Sequence, residues 1–160
     1  MKYRRLNNDE LKELEPEFVK FLAANTVTAD DWVKLKENNP TRVEGLIELF
    51  SDIVFENILK KVDYLEYRET NDLKTFHCLE DKIIMMGLFV EGKSDLDFTK
   101  SLTPEQMMEK FKTSNADLKL YSAEKKYKNG RDPEIFKMME NGCLISKDGA
   151  LFKLLSSLKS

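Results

Sequence analysis

The chain is 160 residues long, with 41% hydrophobic, 10% aromatic and 34% charged residues and a formal net charge of −3. That length and apolar content suit a single domain spanning residues 1–160, since one core commonly organises about 100–200 residues. The charged fraction exceeds the roughly 25% typical of soluble domains, and the slightly acidic whole has no field that draws it to nucleic acid or an anionic membrane.

The first third reads as helix. Asn8 is placed as the N-cap of a segment running from Asp9 to Ala24, with Leu11, Leu14, Phe18, Phe21 and Leu22 forming one buried stripe. Pro16 lies inside that pattern and is expected to kink it or delay its start. Thr28-Ala29-Asp30-Asp31 supplies an N-cap and early acids for a short helix carrying Trp32, Val33 and Leu35, which ends near Asn38-Asn39. Pro40 then opens the longest helix, to about Val62, because proline loses nothing in a first turn. Val43, Leu46, Ile47, Phe50, Ile53, Val54, Asn57 and Ile58 share one broad face, with Phe50 and Val54 expected in the core. Phe55, Leu59 and Val62 fall outside that face, so the last turns are expected to be buried on two sides.

The period then changes. Residues 64–68, 75–79 and 83–90 read as three strands, and their short links favour an antiparallel meander. The third is apolar at nearly every position, which places it centrally in the sheet with both faces covered, and Gly87 at a bulge or close contact. Residues 91–102 read as a polar loop anchored by Leu96 and Phe98. Thr103-Pro104-Glu105-Gln106 starts a helix through a capping box. Residues 118–127 alternate like a strand at first and read as helix later. Asp132-Pro133-Glu134 starts a helix that Asn141-Gly142 ends. A short strand over 143–146 and a final helix built on Leu151, Leu154, Leu155 and Leu158 follow. The expected class is α+β: an N-terminal helical layer packed on a short, mostly antiparallel sheet, with C-terminal helices.

The residues that carry chemistry are few. His77 is the only histidine, and most zinc sites and many acid–base sites draw on that residue. Its neighbour Cys78 lies in the same strand, where successive side chains point to opposite faces. Cys143, the other cysteine, is the remaining thiol that could meet His77 across the fold. Two cysteines make no disulfide framework, so reduced thiols in a cytoplasm are expected. The basic start, Met1 to Arg5, is followed by Asn7-Asn8-Asp9-Glu10 where a signal peptide would turn apolar. The longest uncharged apolar run, Ile83 to Val90, is far too short for a bilayer. Neither catalytic residues, a metal-ligand set nor a cofactor are expected.

Two charged clusters remain. Glu44, Glu48, Asp52 and Glu56 recur every four residues, where like charges cost roughly 0.2–0.5 kcal/mol per pair. A solvated face, a basic protein partner or a divalent metal would each account for them. Lys125, Lys126, Tyr127, Lys128 and Arg131 form the basic cluster, with the composition of a phosphate cradle or of a solvated turn. Asp95-Leu96-Asp97 near Glu91 resembles a fragment of a calcium loop but lacks its glycine. Three methionine doublets, Met85-Met86, Met107-Met108 and Met138-Met139, suit core gaps or an adaptable partner groove.

The opening Met1-Lys2-Tyr3-Arg4-Arg5-Leu6, the Asp31-Trp32 pair, Leu49-Phe50-Ser51-Asp52, Lys61-Val62-Asp63-Tyr64-Leu65-Glu66, Glu134-Ile135-Phe136, Asn141-Gly142 and Ser146-Lys147 together resemble a small uncharacterised bacterial family of similar length. That resemblance implies one domain in a bacterial cytoplasm and carries no activity or binding residues with it. The expected function is a non-catalytic protein-interaction or accessory module using the acidic helix face. The alternative is RNA or nucleotide-phosphate binding through the segment from Lys125 to Arg131.

Overall fold

Reciprocal side-chain caps decide where three of the helices begin. Asn7 caps α1 (Asn8–Glu13): its side chain accepts from the Glu10 N–H at 2.8 Å while the Glu10 carboxylate accepts from the Asn7 N–H at 2.9 Å. The cap is thus one residue earlier than the sequence pattern places it. Pro16 then breaks the long pattern as its ring requires, and α2 (Glu15–Ala24) starts afresh after Leu14. Thr28 and Asp31 form the capping box of α3 (Ala29–Asn38), and Thr103 and Gln106 that of α5 (Pro104–Thr113). Pro40 opens α4 (Pro40–Lys61).

The computed structural model describes residues 1–92, 96–114 and 116–159. The protein is an α+β structure with two compact units, Met1–Lys60 and Lys61–Ser160. The first unit is helical. Its core is aromatic: Phe50 is 3% exposed, with its ring centroid 4.9 Å from that of Phe18 and 5.3 Å from that of Phe21. Trp32 meets Phe18 edge-on at 5.3 Å. The buried face of α4 is rotated from the expected stripe. Val43, Leu46, Ile47, Phe50, Ser51, Phe55 and Leu59 are buried, Val54 is half-buried, and Ile53 and Asn57 are exposed. Val33 on α3 is also exposed, and α3 buries no residue completely.

The second unit is built on one antiparallel sheet. Its strands are β1 (Tyr64–Arg68), β2 (Asp72–Cys78), β3 (Lys82–Glu91), β4 (Asp117–Lys126) and β5 (Leu144–Ser146), in the order β4-β3-β2-β1-β5. The first three form the expected meander. The apolar β3 is interior, but the middle position belongs to β2. The ambiguous 118–127 segment is strand as far as Lys126, paired along its whole length with β3. Helices α6 (Arg131–Glu140) and α7 (Ala150–Leu158) complete the unit, α6 starting one residue before the expected Asp132.

Alternation sorts the sheet into two faces. Leu73 pairs with Leu88, and both point to the side covered by α5 and α7, where they join Val90, Phe98, Met107 and Leu155 in one buried cluster. Leu96 and Phe98 do anchor the segment after β3: they are 4% and 0% exposed. The Phe98 N–H donates to the Thr70 carbonyl at 3.1 Å, and the Arg68 guanidinium donates to the Lys100 carbonyl at 3.2 Å. Asp95, the first residue of the calcium-like fragment, lies outside the described residues. Asp97 accepts from the Thr99 N–H at 2.9 Å, as a local turn requires.

Candidate functional site

The acidic stripe of α4 has an occupant, the chain's own segment Lys2–Leu6. The Asp52 carboxylate accepts from two successive backbone N–H groups, those of Lys2 at 2.8 Å and Tyr3 at 3.1 Å. Lys2 Nζ reaches Glu56 at 2.7 Å, and the Arg5 guanidinium pairs with Glu44. The Leu6 N–H donates to Ser51 Oγ at 2.9 Å, and the buried Ser51 hydroxyl donates in turn to the Ile47 carbonyl at 2.7 Å. Leu6 itself is 3% exposed. The segment therefore runs antiparallel to α4, and its cations offset the repulsion among the carboxylates. Of the four acids singled out by spacing, Glu48 is the one with no hydrogen-bond or ion-pair partner among the described residues.

The same segment ties down α1. Arg4 donates to both oxygens of Glu10, at 2.8 and 3.0 Å, and with the Asn7 N–H it holds the Glu10 carboxyl at about 2. The folded value lies below the unfolded reference of 4.5, so this contribution to stability is complete above that reference and is lost as pH falls toward about 2. Glu10→Gln is expected to flatten that part of the acid limb when unfolding free energy is measured against pH. An acid limb of unchanged slope in the variant would contradict the assignment.

His77 and Cys78 point to opposite faces, as strand geometry requires. His77 stacks on Tyr64 at 4.5 Å and meets Phe152 of α7 at 5.5 Å. Cys78 is 3% exposed, and burial pushes its thiol up to about 12 despite the opposing charge of Arg131. Burial also raises the Cys143 thiol. Neither thiol is poised as a nucleophile, because the thiolate is the reactive form. Among the described residues, no group of three or more histidine, cysteine or acidic side chains is placed to hold a metal ion.

The basic segment divides between fold and surface. Tyr127 donates from its hydroxyl to the Leu79 carbonyl at 2.8 Å, and partial burial pushes its phenol up to about 12. The Arg131 guanidinium donates to the Val62 carbonyl and to Asp132, the latter at 3.0 Å. These two side chains hold the fold rather than a ligand. Lys125 lies 3.6 Å from Glu134, whose carboxylate also accepts from the Lys128 N–H. Lys126 sits opposite Lys82 in the sheet register. Lys125 and Lys128 converge with Lys137 on an open groove of about 500 Å³, shared with Asn129, Glu134 and Asn141.

A second groove carries no motif. Met108 and Leu154 line an open depression of about 420 Å³ between α5 and α7, together with Pro104, Glu105, Glu109 and Lys112. Along α5, Pro104, Glu105, Met108, Glu109 and Lys112 fall on one face, at three- and four-residue steps. The opposite face inserts Met107, 0% exposed, into the core. The Met107-Met108 doublet is thus split between the interior and the groove. One turn beyond Leu154 on α7, Leu158 is 41% exposed.

With these surfaces defined, comparison with known proteins adds one finding: the model of a family of unknown function, DUF6495, matches residues 1–160, the whole chain. The chain belongs to DUF6495. No curated protein and no solved structure matches it. No helix among the described residues of this DUF6495 chain is long and apolar enough to cross a membrane.

One further polar cluster of the DUF6495 chain lies on the sheet face opposite α7. Tyr121, Gly87, Lys74 and Tyr67 form one cross-strand row. The Tyr121 ring lies over Gly87, in space that a β-carbon there would occupy, and its hydroxyl donates to Asp72. Lys74 pairs with the same carboxylate. Burial, reinforced by Asp72, pushes the Tyr121 phenol up to about 12. The cluster staples β4 to β2 across the glycine of β3. It accounts for Gly87 as a close contact, one of the two roles read from the sequence.

Proposed function

We propose that this protein is a non-catalytic protein-interaction module that docks a partner segment in the groove between α5 and α7. The observation that carries the reading is the open groove itself: it is lined by the apolar Met108 and Leu154 and by two carboxylates, Glu105 and Glu109, with one cation, Lys112, and Leu158 is exposed one turn further along α7. Methionine suits such a surface because its flexible, polarisable side chain adapts to different partner shapes. The fitting partner is a short amphipathic segment with an apolar anchor and a basic residue facing Glu105 and Glu109. The non-catalytic part is supported by the buried Cys78 thiol, the stacked His77 and their opposed directions. The α4 carboxylates are a poorer docking surface, because three of the four already hold Lys2, Tyr3 and Arg5.

Capture of partners from the native cell tests this. A polypeptide retained by the wild-type chain is expected to be lost from the Glu105→Lys/Glu109→Lys variant. It is expected to survive neutralisation of Lys125, Lys126 and Lys128. An identical set of captured proteins from wild type and the Glu105/Glu109 variant would contradict the groove. The second reading, phosphate binding, rests on the convergence of Lys125, Lys128 and Lys137. Salt-sensitive RNA binding that disappears when those three are neutralised would put it first, with a log–log slope near −2 at about −0.7 per contact.

A further inference from the structure

The outward face of α4 carries an apolar stripe that the core does not use. Leu49 is 49% exposed and Ile53 is 38% exposed, and they lie one turn apart. One turn before Leu49 is Gly45, where a β-carbon would meet nothing within 4 Å. A glycine in a helix interior is unfavourable relative to alanine, and no neighbour among the described residues requires it. What it supplies is a notch in the outer surface of the helix. Arg42 and Glu56 flank the stripe toward its two ends. Arg42 has no ion-pair partner among the described residues, and Glu56 is held only by Lys2, whose side chain is 70% exposed.

We propose that this face binds a second copy of the chain through antiparallel pairing of α4 with α4 of the partner, with the two-fold axis at Leu49. The stripe is self-complementary about that point. Residues placed symmetrically around Leu49 face each other across a two-fold axis, so Ile53 of one copy meets Gly45 of the other. The large side chain fills the notch, twice per dimer. The same symmetry sets Arg42 opposite Glu56, giving two equivalent ion pairs, one at each end of the seam. A parallel arrangement would instead oppose Arg42 to Arg42 and Glu56 to Glu56, so charge selects the antiparallel direction. From Arg42 to Glu56 the seam spans about 21 Å at about 1.5 Å per residue. With two large apolar side chains per copy, the contact is far smaller than the roughly 800 Å² per partner of a standard stable interface. The association is therefore weak and reversible.

Sedimentation equilibrium of the purified full-length chain over a wide concentration range tests the proposal. Wild type is expected to show a reversible monomer–dimer equilibrium. Leu49→Glu and Arg42→Glu are each expected to weaken it at least tenfold while leaving the circular dichroism spectrum unchanged. The double variant Arg42→Glu/Glu56→Arg is expected to restore it, because the charges are exchanged rather than removed. Under mild oxidation, Leu49→Cys is expected to form a disulfide-linked dimer. Ile53→Cys is expected to do so only when mixed with Gly45→Cys. A chain that remains monomeric at millimolar concentration would overturn the proposal, as would dimerisation indifferent to Leu49→Glu. A different polypeptide bound to the stripe of a monomeric chain would overturn it as well.

Discussion

Truncating Phe50 to alanine is expected to cost the protein about 3–5 kcal/mol, the range for removing a fully buried aromatic ring from a core. Phe50 is 3% exposed and packs against the rings of both Phe18 and Phe21, which also contact each other at 6.1 Å. Aromatic pairs at these separations add about 0.5–1.5 kcal/mol beyond their buried area. Alanine would leave a cavity bordered by two rigid rings, which collapse poorly into a gap. Against an ordinary domain stability of about 5–15 kcal/mol, such a loss threatens the fold. Urea denaturation followed by Trp32 fluorescence measures it in the helical unit, since Trp32 packs edge-on against Phe18. An unchanged midpoint would mean that α4 buries a different face.

Phe98→Ala is expected to cost a similar amount, about 3–5 kcal/mol, although its residue sits in a connection between elements. Phe98 is 0% exposed and belongs to the cluster with Leu73, Met107 and Leu155. It meets Phe111 of α5 edge-on at 6.3 Å. Its backbone is fixed as well, since its N–H donates to the Thr70 carbonyl in the β1–β2 turn. The side chain therefore ties this connection, α5 and the sheet together. Hydrogen exchange in β2 and β3 is the appropriate measurement, because loss of the anchor is expected to lower protection there. Unaltered protection in both strands would show that the loop is a surface appendage.

Local chemistry made much of this fold readable. Thr28, Pro40 and Thr103 mark helix starts because capping and first-turn proline act within a few residues. The period-two stretch at 64–68 is strand as expected. Short-range patterns fail where the deciding contact is distant in sequence. The rotation of the buried face of α4 depends on Lys2–Leu6, which occupies the side holding Asp52 and Ser51 some 45 to 50 residues away. Periodicity alone therefore puts Ile53 on the same stripe as Phe50, where the structure exposes it. The acidic spacing of Glu44, Asp52 and Glu56 was visible, but their partners within the chain were not. Tyr127 and Arg131 had the composition of a phosphate site, yet both donate to backbone carbonyls. The α5–α7 groove was legible only as two amphipathic helices. Which outward residues become neighbours depends on how α5 and α7 pack, and no short-range pattern encodes that.

The most direct test of the proposed function places a photo-crosslinking side chain at Met108, in the α5–α7 groove, and another at Lys126, on the charged β4 edge. Each variant is irradiated in the native cell, and covalent adducts are resolved by mass. The interaction reading predicts a discrete polypeptide adduct from position 108 that is absent from position 126. That adduct should disappear in the Glu105→Lys/Glu109→Lys background. Adducts of equal yield from both positions, or none from position 108 while position 126 gives nucleic acid, would contradict it.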